Sequence, residues 1–392
     1  MHPLTVSLLV LLAGCNGDKD TSTDTAGTDL PANAGAAVDT YAEIVSASYA
    51  DALSSAQDLS SSIDTFVASP SQGGLDAARQ AWLDSREPYL QTEVYRFYDG
   101  PIDHPETGPE GLINAWPMDE HYIDYTSGDA STGIVNDTAI TIDADTLTSL
   151  NEAGGESNIA TGFHAIEFLL WGQDLSETGP GDRPHTDYLT GAGATADNGD
   201  RRGTYLQVAG ALLVSHLSEV ESQWDASGGA YRASFVADDF TALQNILTGM
   251  IVLSGFETGG ERLQAALDSG DQEDEHSCFS DNTHRDMIQD VQGVLNVWGG
   301  SYTRTDGSVV EGTGVRDVVA AIDADLAGQL DDQIALSLSL ANALQTPFDS
   351  EIAPANDEGN ARVAALIEAL RDQEDLLFEV FSLLGMSVTI PE

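Results

Sequence analysis

NARVAALIEALRDQEDLLFEVFSLLG, residues 360–385, decides the fold class. Val363, Leu366, Ile367, Leu370, Leu377, Val380, Phe381 and Leu384 fall on one stripe of a helix that turns every ~3.6 residues, with acids and amides on the other side. Working outward from it, the same spacing predicts helices over 38–67, 75–97, 159–171, 203–224, 235–267, 284–299 and 315–343. Strand-like alternation is scarce and is best at 133–141. Gly- and Pro-rich stretches at 99–111, 177–202, 269–281 and 347–359 separate the helices. The reading is all-α, with helical bundles packed together over residues 37–392 and a break near 227–230 (Ser227-Gly228-Gly229) as a boundary between two bundles.

The first residues carry an address. Leu4–Leu12 is an apolar run shorter than the ~20 residues of a membrane-spanning helix, which makes it the core of a signal peptide. Leu12-Ala13-Gly14-Cys15 follows at once, the pattern of small residues before a cysteine at which lipoprotein signal peptidase cuts. Residues 1–14 are therefore expected to be removed and Cys15 lipidated. Residues 15–36 contain almost no large apolar side chain and read as a disordered polar tether between lipid and domain. The expected location is the cell envelope, lipid-anchored on the periplasmic or cell-surface side.

Composition narrows the partners. The net charge is −51, from 65 acidic and 14 basic residues, and Lys19 is the single lysine. Such a domain repels nucleic acid and anionic lipid. Its acids are spread along the chain, which fits a solvated surface in salty surroundings; a surface that concentrates cations is the other reading. With Cys15 lipidated only Cys278 remains, so neither an intramolecular disulfide nor a cysteine-based metal site is expected.

Three polar constellations stand out on apolar helices. In GFHAIEFLLWG (162–172) apolar residues cover nearly every face, and His164 and Glu167 are the only ionisable groups. At i, i+3 they share a face. A buried carboxylate must be paired, protonated or bound to a metal, and His and Glu at this spacing also supply ligands in di-metal helical bundles. A self-satisfied His–Glu hydrogen bond explains the pattern equally well. In WLDSREPYLQTEVYRFYDGPID (82–103), Arg86, Tyr89, Glu93 and Arg96 are expected on one helical face. Between 254 and 286, Glu257 and Glu261 sit at i, i+4 with Arg262, and a loop packs His276, Cys278, Asp281, His284 and Asp286 together. Capping at Asn282 or Thr283 accounts for part of that loop; a divalent cation is the alternative.

With these segments in view, the chain resembles the imelysin-like family, most closely its iron-regulated protein A branch. The resemblance rests on Arg86-Glu87-Pro88-Tyr89 with Glu93, Tyr95, Arg96, Phe97 and Gly100-Pro101-Ile102-Asp103; on INAWPMDEHYIDY (113–125); on GFHAIEFLLWGQD from Gly162; on ETGGER from Glu257; on EDEHSCFSDNTHRD from Glu273; and on Pro347-Phe348-Asp349. The family's GxHxxE motif falls on Gly162, His164 and Glu167. Thr258-Gly259 departs from the Leu-Ala expected of relatives. The resemblance implies two packed helical bundles, an envelope location and a link to iron acquisition; the family is also catalogued as metallopeptidases.

Three functions are weighed. The leading one is a non-catalytic envelope protein that binds iron, another divalent cation or an iron-carrying ligand. His164 and Glu167 are its expected ligands, joined by Glu93, Glu257 or His284, with Arg86, Arg96, Glu261, Arg262 and Asp281 around them. The rival is a zinc peptidase with Glu167 as general base, although HxxE lacks the second histidine of the HExxH signature. The third is a lipoprotein partner of an outer-membrane iron-uptake system, with the buried cluster purely structural.

Overall fold

The computed structural model describes residues 30–176 and 178–387. The proposed signal peptide, Cys15 and most of the tether lie outside them.

Four helices make the first bundle. In α1, Ala34–Ala68, buried Val38, Tyr41, Val45, Ala52, Ala56, Leu59, Ile63 and Phe66 form the core stripe. The helix begins inside the stretch read as tether, because Ala34 and Ala37 already pack into the core. α2, Gln72–Leu90, starts on Ser71, whose hydroxyl accepts from Gly74 N–H. α3, Gly162–Trp171, and α4, Gly199–Trp224, complete the group: α2 and α4 pack on α1, and α3 lies against α2 and α4.

The second bundle begins with α5, Asp239–Ile251, capped by Asp238. It continues without a break into a π-helix, Val252–Gln264. α6, Thr283–Gly299, α7, Ala324–Ala341, and α8, Asp357–Leu383, follow, the last two capped by Asp323 and Asn356. α8 packs on α5, on the π-helix and on α7. The predicted stripe of α8 is buried but divides between two cores. Leu377, Val380, Phe381 and Leu384 belong to the larger core, and Val363, Leu366, Ile367 and Leu370 to a smaller one with Leu263, Met287, Val291 and Phe348.

Three local expectations differ from the structure. Residues 133–136 form a helical turn, not a strand, while a small antiparallel hairpin pairs β1, Ser301–Thr303, with β2, Val309–Glu311. Runs of three residues are too short for alternation to register. α2 stops at Leu90 and does not reach Phe97. Pro88 has no N–H for the helix ladder, and the chain turns to a single 3-10 turn at Glu93–Tyr95. The predicted helix over 315–343 is interrupted, as Val315–Ala320 and Ala324–Ala341; at 225–229 the chain turns between the two groups of helices, with Trp224 edge-on to Tyr231 and Phe235 at 5.0 and 5.1 Å.

The long excursion between α2 and α3 is tied down by charge. Buried Asp124 accepts from Arg183 Nη1 at 2.7 Å and from Arg202 Nε and Nη2 at 2.6 and 2.9 Å. That joins the 113–125 segment to α4 and to the loop before it. Among the described residues no helix is long and apolar enough to cross a membrane.

Candidate functional site

All ten residues of α3 are buried. Its first residue, Gly162, has φ +85, and a Cβ there would lie 2.4 Å from the Ile113 carbonyl oxygen. Only glycine allows both the backbone conformation and the approach. The helix is thereby pressed onto the 110–114 segment, and Trp82 Nε1 pins it by donating to the Phe163 carbonyl at 2.9 Å. One turn in, His164 Nδ1 and Glu167 Oε2 are 2.9 Å apart. The other Glu167 oxygen accepts from the Ser280 N–H and hydroxyl at 3.0 and 2.6 Å. His164 Nε2 is buried and has no partner. The ring lies between Trp116 and His276, with centroids 5.0 and 4.9 Å away.

His276 repeats the arrangement. Its Nδ1 is 2.7 Å from Asp286 Oδ2, which also accepts from Arg86 Nη2 at 3.1 Å and from the Ser277 hydroxyl. Asn282 donates to the other Asp286 oxygen. Arg86 is fully buried among the rings of Trp82, Tyr89 and Phe163, and its Nη1 donates to Asn114 Oδ1. Burial alone would raise Asp286, but Arg86 and His276 hold it well below the usual carboxylate range. Two imidazoles therefore face each other, each with Nδ1 on a buried carboxylate.

A third layer is built from arginine. Arg262 Nη2 donates to Glu93 Oε2 at 2.6 Å and to Glu257 Oε1 at 2.9 Å, and its Nη1 donates to Asp290 Oδ2 at 2.9 Å. Arg96 Nη1 donates to the same Glu93 oxygen at 2.6 Å, and Arg96 Nη2 pairs with Glu110 at 3.1 Å. Glu93 and Arg96 reach this layer from the turn after α2, not from its helical face. The π-helix sets the rest. Its i, i+5 repeat brings Glu257 and Arg262 onto one side and leaves Glu261 exposed. Thr258, where Leu is expected of relatives, puts a hydroxyl 3.1 Å from Asp290.

Electrostatics follow from burial. Burial, with His276 and Arg86 nearby, holds His164 well below its ordinary value; burial and Arg262 bring His276 down to about 4. Both rings are neutral at pH 7. Burial pushes Glu167 up to about 8. Against burial, Arg96 and Arg262 keep Glu93 ionised, while Asp290, with a share of Arg262 only, is pushed up to about 7.

The sequence-predicted groups thus distribute themselves. His164 and Glu167 are together, but Glu93 and Glu257 face arginines, and His284 Nδ1 turns to the Asp281 carbonyl at 3.1 Å. Among the described residues these five do not bring three ligand atoms within 4.8 Å of one another, whereas Asp174, Asp281 and Asp349 do. Sequence reasoning placed His276 and Asp286 only in a loop and missed Asn114, Ser280 and Asp290. An iron-group cation is tested best at His164 Nε2. A ligating imidazole ordinarily gives its other nitrogen to a carboxylate, which both rings here do. The arrangement offers such an ion two imidazoles, His164 and His276, oriented by Glu167 and Asp286, and among the described residues no third His, Cys, Asp or Glu joins them within 4.8 Å.

Fold and site together define a class: two helical bundles, the first containing a glycine-started, fully buried His–Glu helix. The chain belongs to the imelysin family, whose profile (Imelysin, Peptidase_M75) matches residues 45–377. It is 24% identical over 322 residues to Iron-regulated protein A of Synechococcus elongatus, covering 79% of this chain and 76% of that one. A crystal structure described as an iron-regulated protein A precursor from Parabacteroides distasonis superimposes with a TM-score of 0.70 at 19% identity, over 91% of this chain and 97% of that one. An imelysin-like protein from Psychrobacter arcticus gives 0.65 at 14% identity, over 92% and 99%.

Proposed function

We propose that this protein is a non-catalytic, envelope-anchored binder of a divalent cation, with iron the first candidate, and that His164 and His276 are its ligands. One observation carries the reading: a buried imidazole nitrogen without a partner, His164 Nε2, on a ring whose Nδ1 is held by a buried carboxylate. In the ionised state of Glu167, the Nδ1 proton points to the carboxylate and Nε2 offers a lone pair. The name of the cyanobacterial relative, Iron-regulated protein A, favours iron among the cations. Cys15 would anchor the domain through lipid, and an outer-membrane iron-uptake system is the partner consistent with that address.

The peptidase reading, with zinc as its metal, fares worse on geometry. A general base needs a free oxygen to take a proton from water. Both Glu167 oxygens are engaged, one with His164 Nδ1 and the other with the Ser280 N–H and hydroxyl.

Metal analysis of the purified full chain, followed by Fe²⁺ and Zn²⁺ titration of chelator-treated protein, tests the proposal. Stoichiometric retention that disappears in His164→Ala is expected. Undiminished retention in that variant refutes the assignment, and chelator-sensitive cleavage of an unstructured protein refutes the non-catalytic reading.

A further inference from the structure

Four carboxylates from separate stretches of chain meet beside the imidazole site. Asp174 follows α3, Glu275 and Asp281 lie in the loop before α6, and Asp349 opens the single-turn helix Asp349–Ile352. Oxygens of Asp174, Asp281 and Asp349 lie within 4.8 Å of one another. Glu275, fully buried, faces Asp349, with Asp281 and the Thr283 hydroxyl close by, and neither of its oxygens makes a hydrogen bond of ordinary geometry. Asp174 Oδ2, Asp281 Oδ1 and both oxygens of Asp349 are likewise buried and unpartnered.

The contrast with the rest of the molecule is what needs explaining. Basic residues are scarce, yet buried Glu93, Asp124, Asp286 and Asp290 each touch an arginine. Among the described residues Asp174, Glu275, Asp281 and Asp349 are in no ion pair. Isolated buried charges cost several kcal/mol each. Burial and mutual repulsion accordingly push Asp281 up to about 8 and Asp174 up to about 6. Shared protons relieve part of that cost. A divalent cation relieves more, because it offsets two charges and takes six to eight oxygens at about 2.3–2.6 Å. A set of carboxylate oxygens without imidazole or thiolate selects a hard ion. Access exists: a cleft of about 780 Å³, walled by Asp174, Asp271, Glu273 and Asp349, opens onto the cluster.

We propose that Asp174, Asp281 and Asp349, with buried Glu275 behind Asp349, bind a hard divalent cation of the calcium type, at a site separate from the facing imidazoles. The ion would clamp the loop before α6 to the chain after α3. That same loop carries His276, Ser277 and Ser280, so the cation also sets the position of half the imidazole site. The proposal does not depend on what His164 binds.

The test uses the full chain freed of divalent ions by chelator, with Ca²⁺ alone as the probe, followed by calorimetry and thermal unfolding. One equivalent is expected to bind and raise the unfolding midpoint. Asp281→Asn and Asp349→Asn should each weaken binding by more than the roughly tenfold that loss of an outer-shell partner costs. Because they remove repulsion, both variants should fold, with a calcium-free midpoint at or above that of the unaltered chain. His164→Ala should leave the calcium response unchanged. Absence of any response up to about 10 mM, beyond the range of extracellular calcium modules, overturns the proposal and leaves shared protons as the explanation. Undiminished binding in the asparagine variants overturns it, and so does loss of binding in His164→Ala.

Discussion

Arg262→Met is the most demanding perturbation of the charge layer. Methionine keeps much of the apolar stem but removes a guanidinium that donates to Glu257 Oε1, Asp290 Oδ2 and Glu93 Oε2 at 2.6–3.2 Å. Arg262 is 4% exposed, and Glu93 and Asp290 are no more accessible. Removing one partner of a buried pair costs about 3–5 kcal/mol, most of it from the stranded charge. Glu93 keeps Arg96, whereas Asp290 keeps only the Thr258 hydroxyl. The stranded carboxyl escapes by holding a proton, so its folded-state pKa rises above its unfolded value. Stability is then lost as pH rises from the unfolded pKa through the folded one, at about 1.4 kcal/mol per unit. Denaturant unfolding should therefore show a loss near the full 3–5 kcal/mol at pH 8 and about 1 kcal/mol less at pH 5, since below about 7 Asp290 holds its proton in the unaltered chain as well. Asp290→Asn in the same chain should recover part of it. A loss below about 1 kcal/mol at pH 8, or one independent of pH, would refute the argument that Arg262 stabilises by neutralising buried charge.

Chelator-treated protein should lose stability between pH 6.5 and 8, read as a falling thermal midpoint. Glu167 at about 8 and, up to about pH 7, Asp290 still hold protons in the fold while their unfolded counterparts are already ionised, and the depressed histidines contribute little there. A midpoint that rises over this window contradicts the burial of those carboxyls. Gly162→Ala should destabilise by several kcal/mol or abolish soluble expression, since φ +85 and the 2.4 Å approach to Ile113 both oppose a Cβ. Gly328→Ala, in open space on α7, should stabilise by about 0.5–1 kcal/mol; equal effects at the two positions would remove the steric argument. On the π-helix, Glu261→Ala should stay within about 0.5 kcal/mol of the original while Glu257→Ala costs more; the reverse order in chemical denaturation would show that the turn is α-helical in solution.

Much of this was legible because burial on helices leaves a periodic trace. The α8 stripe, the all-round apolar α3 and the inward His164–Glu167 pair are local patterns, and the structure places them as read. Glu93 reads as a candidate ligand in the sequence because the arginine it faces in the structure, Arg262, is 169 positions away in the chain. Arg86 and Asp286, separated by 200, hide each other in the same way. Glu261 was misplaced for a different reason: spacing arguments assume ~3.6 residues per turn, and the π-helix rotates every side chain after Val252 away from that register. The four-carboxylate cluster draws on three loops, where no period exists to read.

The division of α8 between the two cores bears on how the chain acquires its structure. Its N-terminal half fills the smaller core and its C-terminal half the larger, yet it is the last helix in the sequence. A chain delivered N-terminus first therefore finishes neither core until its final helix arrives. Partial products stay open, and the two bundles become stable in one step at the end of delivery. That order of events would suit delivery in extended form across a membrane, the route that the proposed signal peptide implies.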